Sequence, residues 1–428
     1  MRTLKVPFET AEDVGSILEL NVPDNIYVKD FTPKELPPLA DPAAEVLRAV
    51  ESPVESPAFS KLIQGGKTVV FMIENQFRAA PANLLLPGLV EMVKKAGGNA
   101  KIVIGCGKVP PLSDEEIKEK IGAALFDSGI PVFCNDVSKE ENYTLLGITK
   151  KGIPLWLHNE VVQSDVKVTV GTTQATLWGY GGSGMVIPGS SGDETIELNH
   201  IMSLSPTCVP GNNDADMQHD KYEALKMAGV DMGINVIVNN DTNISYINAG
   251  DPVASHKKSV EVYDSVYSFG KEEQFDIVIC GSTAPTNHLF FHTSWAVVNC
   301  DPIAKDSSTI LFASPCPGYG GWEGFALMDL MQEYMPPTKE THEKALRDFY
   351  NRKKELWAGC IWYKVYELML RKHTTYITFE ENLDFAKKLQ MDAYGPGEIQ
   401  NAFDKTLAEK GPDAKVAFVP YGRYTVFK

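Results

Sequence analysis

Apolar positions in this chain gather in short, almost wholly apolar runs, separated by longer stretches of mixed polarity. Residues 68–73 (TVVFMI) and 101–105 (KIVIG) have the length and composition of strands buried on both faces. Between them, residues 84–96 predict a helix that carries Pro87 and closes at Gly97-Gly98. Strand, helix and strand within so short a span make a βαβ unit, so the two strands are expected to lie parallel in one sheet. Ser113 with Glu116 three residues on predicts a capped helix start, and Ser191 with Glu194 predicts another. Residues 131–134 add a short strand. Residues 143–147 and 154–157 pair as a hairpin, and 166–170 return to the sheet. The stretch 205–222 reads as a polar excursion. Residues 234–238 and 244–247 form a hairpin about Asn239-Asn240-Asp241.

The second half repeats the alternation. Strands are expected at 275–280 (FDIVIC), 309–313, 375–378 and 415–420 (KVAFVP). Helices are expected from about Thr286, at 324–334, at 339–370 and at 398–410, with a turn-rich loop at 315–321. Residues 1–60 hold many prolines, a short strand or two and a helix near 43–49, expected to cover the first domain. The pattern predicts two α/β sandwich domains with mostly parallel sheets, residues 1–262 and 263–428, and a ligand cleft between them.

Composition narrows the function classes. A net charge of −16, with 40 Lys and Arg against 56 Asp and Glu, argues against a nucleic-acid partner. No apolar run reaches bilayer length, and the N-terminal stretch lacks the apolar core of a secretion signal. Seven scattered cysteines without a CxxC pair fit a reducing compartment, so the expected location is the cytoplasm, with no membrane partner. Nothing in the sequence sets the oligomeric state.

Candidate chemistry concentrates at strand ends, because ligands of open α/β sheets bind beyond the carboxyl ends of the strands. Three such ends are 74–78 (ENQFR), 105–108 (GCGK) and 171–176 (GTTQAT). The last leads into the glycine-rich segment 179–189 and then into a helix bearing His200. That histidine is either a ligand or a core residue bonded to a carbonyl. Arg78, just past its strand, is either a bidentate anchor for a carboxylate or phosphate or a surface arginine. His288 and His292 share one helix face at i,i+4, as metal and proton-transfer sites do, or pack that face on a neighbouring element. The segment 179–184 (GYGGSG) fails the dinucleotide fingerprint, because it does not pass directly into a helix but is followed by an extended MVIPG.

Arg78 and Pro81, the loop after KIVIG, the segment PGSSGDETIELNH at 188–200, residues 234–251, 275–285 and the closing KVAFVPYG together resemble the nickel-pincer nucleotide-dependent lactate racemases. The resemblance runs from about residue 20 almost to the end. It implies a racemase or epimerase of a small anionic 2-hydroxy acid, using hydride transfer to a nickel-bearing nucleotide. His200 falls on the family's nickel ligand and Arg78 on its arginine. Asn75, Thr172, Gly182, Ser183, Gly184 and Trp357 fall on cofactor-contacting positions. The sequence departs from the pattern elsewhere. Gly107 stands for the first acid/base histidine, and Thr176 or a neighbour for the second. Met185 stands for the tethering lysine, Asn75 for an aspartate, Trp295 for a lysine and His292 for a glutamine. The nucleotide is therefore expected to be held non-covalently. His288, His292, Cys106 and Lys108 are the candidates to replace the bases. A non-catalytic nucleotide- or hydroxy-acid-binding homologue, or another enzyme class on the same scaffold, is the alternative reading.

Overall fold

The computed structural model describes residues 1–10, 12–284, 286–287, 290–317, 332–388 and 390–428. The chain forms two compact units. One is Glu35–Gln174 with Trp178–Val266, and the other is Met1–Lys34, Ala175–Leu177 and Tyr267–Lys428. The boundary near residue 266 lies at the end of a helix, Ala254–Tyr267, where the sequence shows only a change of pattern. The first 34 residues, assigned by sequence to the first domain, fold with the C-terminal half. The reason is a strand pairing that local pattern does not reveal: Val28–Asp30 lies parallel to Val416–Val419.

In the central unit six strands take the order Ile244–Gly250, Met232–Val238, Val166–Thr172, Thr68–Glu74, Asn99–Gly105, Val132–Cys134. All pairs are parallel except the edge hairpin between Met232–Val238 and Ile244–Gly250. Thr68–Glu74 shows why its run is apolar throughout. Val69, Phe71 and Ile73 face the helix Ala82–Lys95, which presents Leu85, Leu86 and Leu89. Val70 and Met72 face Leu155, Leu157 and Leu225 on the other side. The predicted hairpin pairs Tyr143–Ile148 with Pro154–His158.

Ser113 caps the helix Asp114–Ile121 as expected. Its hydroxyl accepts from Glu116 N, and the Glu116 carboxylate accepts from Ser113 N at 2.8 Å. Ser113→Ala is expected to cost about 1 kcal/mol, read as a lower urea midpoint. The second expected capping box does not form. Helix Asp193–Ile201 starts from Gly192, with no side-chain cap. Ser191 instead donates to Val186 O at 2.6 Å, and Glu194 accepts from Trp156 Nε1 at 3.2 Å. Both side chains are claimed by tertiary partners before they can serve the helix end. The extended MVIPG is also corrected: Met185–Gly189 is a π-helical turn interrupted only by extended dihedrals at Ile187.

The other unit carries a six-stranded sheet in the order Asp392–Tyr394, His373–Ile377, Ala304–Ala313, Phe275–Gly281, Val416–Val419, Val28–Asp30, parallel throughout. The helix expected over 339–370 is two, Lys339–Tyr350 and Leu356–Met369, divided where Arg352 takes a φ of 54°. The helix expected at 324–334 falls mostly outside the described residues. Among the described residues no helix is long and apolar enough to cross a membrane.

Candidate functional site

Three strand ends of the central unit converge as the topology predicts. Glu74 ties two of them together: its carboxylate accepts from Thr172 N at 2.7 Å, Thr172 Oγ1 at 2.8 Å and Ala80 N at 3.3 Å. Asn75 shapes the next turn by accepting from Phe77 N at 3.2 Å. Arg78 follows, half-buried, with its backbone N–H on Asn75 O. Lys120 lies beneath this loop and donates to the carbonyls of Arg78 and Ala80, both at 3.1 Å. Burial pulls the Lys120 amine down to about 8, with Arg78 adding to the effect and Glu74 opposing it.

His200 lies on the last turn of Asp193–Ile201 and is 5% exposed. Its Nδ1 stands 2.8 Å from Ile196 O, and its ring meets Trp178 edge-on at 5.4 Å. A carbonyl only accepts, so Nδ1 carries the proton and Nε2 keeps its lone pair. Burial holds the imidazole down to about 4, helped by the positive charges of Lys108 and Lys221. A neutral ring with one nitrogen fixed on a carbonyl is the arrangement that metal-ligating histidines use. Among the described residues no three His, Cys, Asp or Glu side chains cluster as a metal site.

The helix is locked to the third strand end. Lys108 Nζ reaches Asp193 Oδ1 and Glu197 Oε1, both at 2.8 Å. Burial lowers its pKa, but the two carboxylates outweigh that and the net shift is upward. Lys108 is thus a structural cation at neutral pH and not the base its position suggested. Cys106 does not serve either: a hydrogen bond with Cys134 and burial push its thiol far up.

The glycine loop is held from a helix that the sequence pattern conceals. Residues 216–227, seven of the twelve inside the expected polar excursion, form the helix Asp216–Met227. It buries Tyr222, Ala224 and Leu225 in the core, but Gln218, Asp220 and Lys221 are buried as well, and these polar positions break the 3.6-residue apolar period. Gln218 Nε2 donates to Ser183 Oγ at 2.8 Å, and Lys221 Nζ to Tyr180 O at 2.8 Å. Tyr222 OH meets His256 Nδ1 at 2.8 Å, and His256 Nε2 stands 2.6 Å from Gly181 O. Asp220 accepts from Asn199 Nδ2 at 2.8 Å, beside His200. The i, i+3, i+4 placement of Gln218, Lys221 and Tyr222 was the available signal. Gly182 sits where these groups meet, at φ 94°, and a Cβ there would come within 3.1 Å of both the His256 ring and Thr173 Oγ1. Gly184 closes the loop by accepting from Gly189 N at 2.9 Å.

The remaining candidates lie in the other unit. His292 is buried on the short helix Phe290–Thr293, against Trp295 at 5.9 Å. His288 lies outside the described residues. Trp357 opens the helix Leu356–Met369 and donates from Nε1 to Glu355 at 2.9 Å. Thr176 belongs to the three-residue piece that clusters with this unit.

Burial of two neutral histidines gives the site a pH signature. His256, fully buried, is also held down to about 4, chiefly by desolvation. Unfolded histidines titrate near 6.5, so in acid the unfolded chain binds protons that the folded one refuses. This stabilisation is complete above about pH 6.5 and is lost as pH falls through 4, with each ring contributing about 3 kcal/mol. In metal-free protein the urea midpoint is expected to fall across that window. His256→Gln should make the fall shallower.

Fold and site together define a two-unit α/β protein whose central sheet ends at a buried, neutral histidine beside a pinned glycine loop. The lactate racemase N-terminal domain matches residues 15–209. A lactate racemase of Thermoanaerobacterium thermosaccharolyticum is 25% identical over 289 residues, 65% of this chain and 67% of the relative. That of Lactiplantibacillus plantarum is 22% identical over 399 residues, 90% of each. In fold, the chain superposes on the lactate racemase apoprotein of T. thermosaccharolyticum with a TM-score of 0.86, at 21% identity and full coverage of both chains. A Thermotoga maritima protein follows at 0.70, with 13% identity, covering 90% of this chain and 98% of the other. Residues 15–209 thus match the lactate racemase N-terminal domain, and the chain as a whole shares the fold of the lactate racemase apoprotein.

Proposed function

We propose that the chain is a racemase or epimerase of a small 2-hydroxy acid, working with a nickel-bearing pyridinium nucleotide ligated by His200. The observation that carries this reading is the state of His200: buried, neutral, protonated at Nδ1 by its bond to Ile196 O, and so left with a donor lone pair on Nε2. The donor set fits a single protein ligand to a metal that is otherwise held by an organic group. It does not fit a covalent tether at the glycine loop, because Met185 is an apolar core side chain. The nucleotide would be held by coordination and polar contacts, with Thr172, Gly182, Ser183 and Gly184 beside it. Such a group supplies a hydride acceptor for C2 of the substrate. Arg78 would bind the substrate carboxylate, on a loop that Glu74, Asn75 and Lys120 hold in place.

Proton transfer at the substrate hydroxyl falls to this chain's own side chains. Gly107 has none to offer, and Thr176 does not titrate near neutrality. His288 and His292 are the histidines proposed for that task. The lack of a base at positions 107 and 176 also supports a second reading, a homologue that binds nucleotide or hydroxy acid without turnover. Co-production with the enzymes that make the nickel nucleotide, followed by nickel analysis and chiral chromatography of a panel of 2-hydroxy acids, separates the two. Bound nickel with interconversion supports the racemase, and nickel or ligand binding without interconversion supports the binding homologue. Protein that takes up no nickel overturns the first reading.

A further inference from the structure

We propose that the loop around Gly182 is an oxyanion site, in which the ammonium of Lys221 and the hydroxyl of Thr173 bind a carboxylate or phosphate oxygen. Lys221 is 7% exposed, and among the described residues it makes one hydrogen bond, to Tyr180 O, and pairs with no carboxylate. An ammonium carries three donors, so two are left unmet in the protein interior. The charged or titratable groups it feels are His200, His256 and Cys208, none of them an anion that would balance it. Asp220, its neighbour on the helix, is already engaged by Thr149 Oγ1 and Asn199 Nδ2.

Thr173 is an independent observation at the same loop. It is fully buried, and its Oγ1 has no hydrogen-bond partner among the described residues. That oxygen lies 3.1 Å from the point a Cβ on Gly182 would occupy, and the positive φ reserves the position for glycine. The loop thus keeps a side chain off the Thr173 hydroxyl at Gly182, two residues along from the Tyr180 carbonyl that holds Lys221. Buried polar groups left unpaired in a native fold mark a missing partner. An anionic oxygen satisfies both, as an ammonium and a hydroxyl both donate to it. Burial, opposed only by Cys208, draws the Lys221 amine down to about 8, so the protein around it supports its charge poorly.

The site rests on the metal-free chain's own geometry, so it is tested without nickel and stands or falls apart from the role of His200. Thermal melting and calorimetry of the full chain with inorganic phosphate or with lactate distinguish the two sources of the oxygen. Wild-type protein is expected to melt higher with one of them. Lys221→Met should melt higher than wild type in plain buffer, because a buried, unpaired charge is removed, and yet bind that anion about ten- to a hundredfold more weakly. Thr173→Val should bind it more weakly with a smaller effect, and Lys226→Met, an exposed lysine on the same helix, should bind as wild type. Wild-type protein indifferent to both anions overturns the proposal. So does a Lys221→Met protein that binds as wild type, or one that merely melts lower with its affinity intact.

Discussion

His200→Ala is expected to abolish nickel retention in protein co-produced with the nucleotide's biosynthetic enzymes. Loss of a group that only orients a metal ligand weakens binding about 10- to 100-fold, so loss of the ligand itself should exceed that. The readout is nickel per chain after gel filtration, beside the melting temperature of the same preparations. Since the imidazole is neutral, its removal takes away a donor and not a charge, and the apoprotein should still fold. His200→Ala protein that keeps nickel at the wild-type level would place the metal elsewhere. Asn199→Ala offers a graded comparison. It frees Asp220 Oδ2 of its bond to the His200 helix, and should loosen nickel less than removal of the ligand.

Glu74→Ala is expected to be among the most destabilising changes outside the apolar core. Glu74 is 4% exposed and takes three hydrogen bonds, two from Thr172 and one from Ala80 N. Its removal orphans buried donors and leaves Lys120, half-buried beneath the Arg78 loop, without the nearby charge that favours its protonated form. Leaving a buried donor unsatisfied costs about 1–3 kcal/mol, and Glu74 satisfies three. Urea unfolding monitored by circular dichroism should show a loss of that order. Glu74→Gln should lose less, because the amide oxygen still accepts from Thr172. A Glu74→Ala protein as stable as wild type would show that the loop repacks freely, and Arg78 would then not be a fixed anchor.

Much of the architecture was legible. The apolar run at 68–73 is a strand because a sheet covered on both faces leaves its positions apolar, and 101–105 and 166–170 pair on either side of it. The Ser113 box was readable because both of its partners lie within four residues. The Ser191 box was misread because its hydroxyl finds Val186 O and its glutamate finds Trp156, contacts that no short window contains.

The site was legible at its backbone positions and not at its supports. Glycines and strand ends marked the loops at 74–78, 105–108 and 171–184, and these loops do meet. Lys108 looked like a base, but Asp193 and Glu197, 85 and more residues on, make it a clamp. Helix Asp216–Met227 showed no clean apolar period, because it buries Gln218, Asp220 and Lys221 alongside its apolar residues.

By itself, then, the sequence determined which segments are strands and helices and where glycine must stand, since these follow from local backbone preference and burial period. Only the tertiary structure decided that residues 1–34 complete the C-terminal sheet, that His200 is neutral with Nε2 left as its donor nitrogen, and that Lys221 lies under the glycine loop with donors to spare. Those outcomes depend on desolvation and on hydrogen-bond partners distant in the chain. Neither can be computed until the fold has brought the groups together.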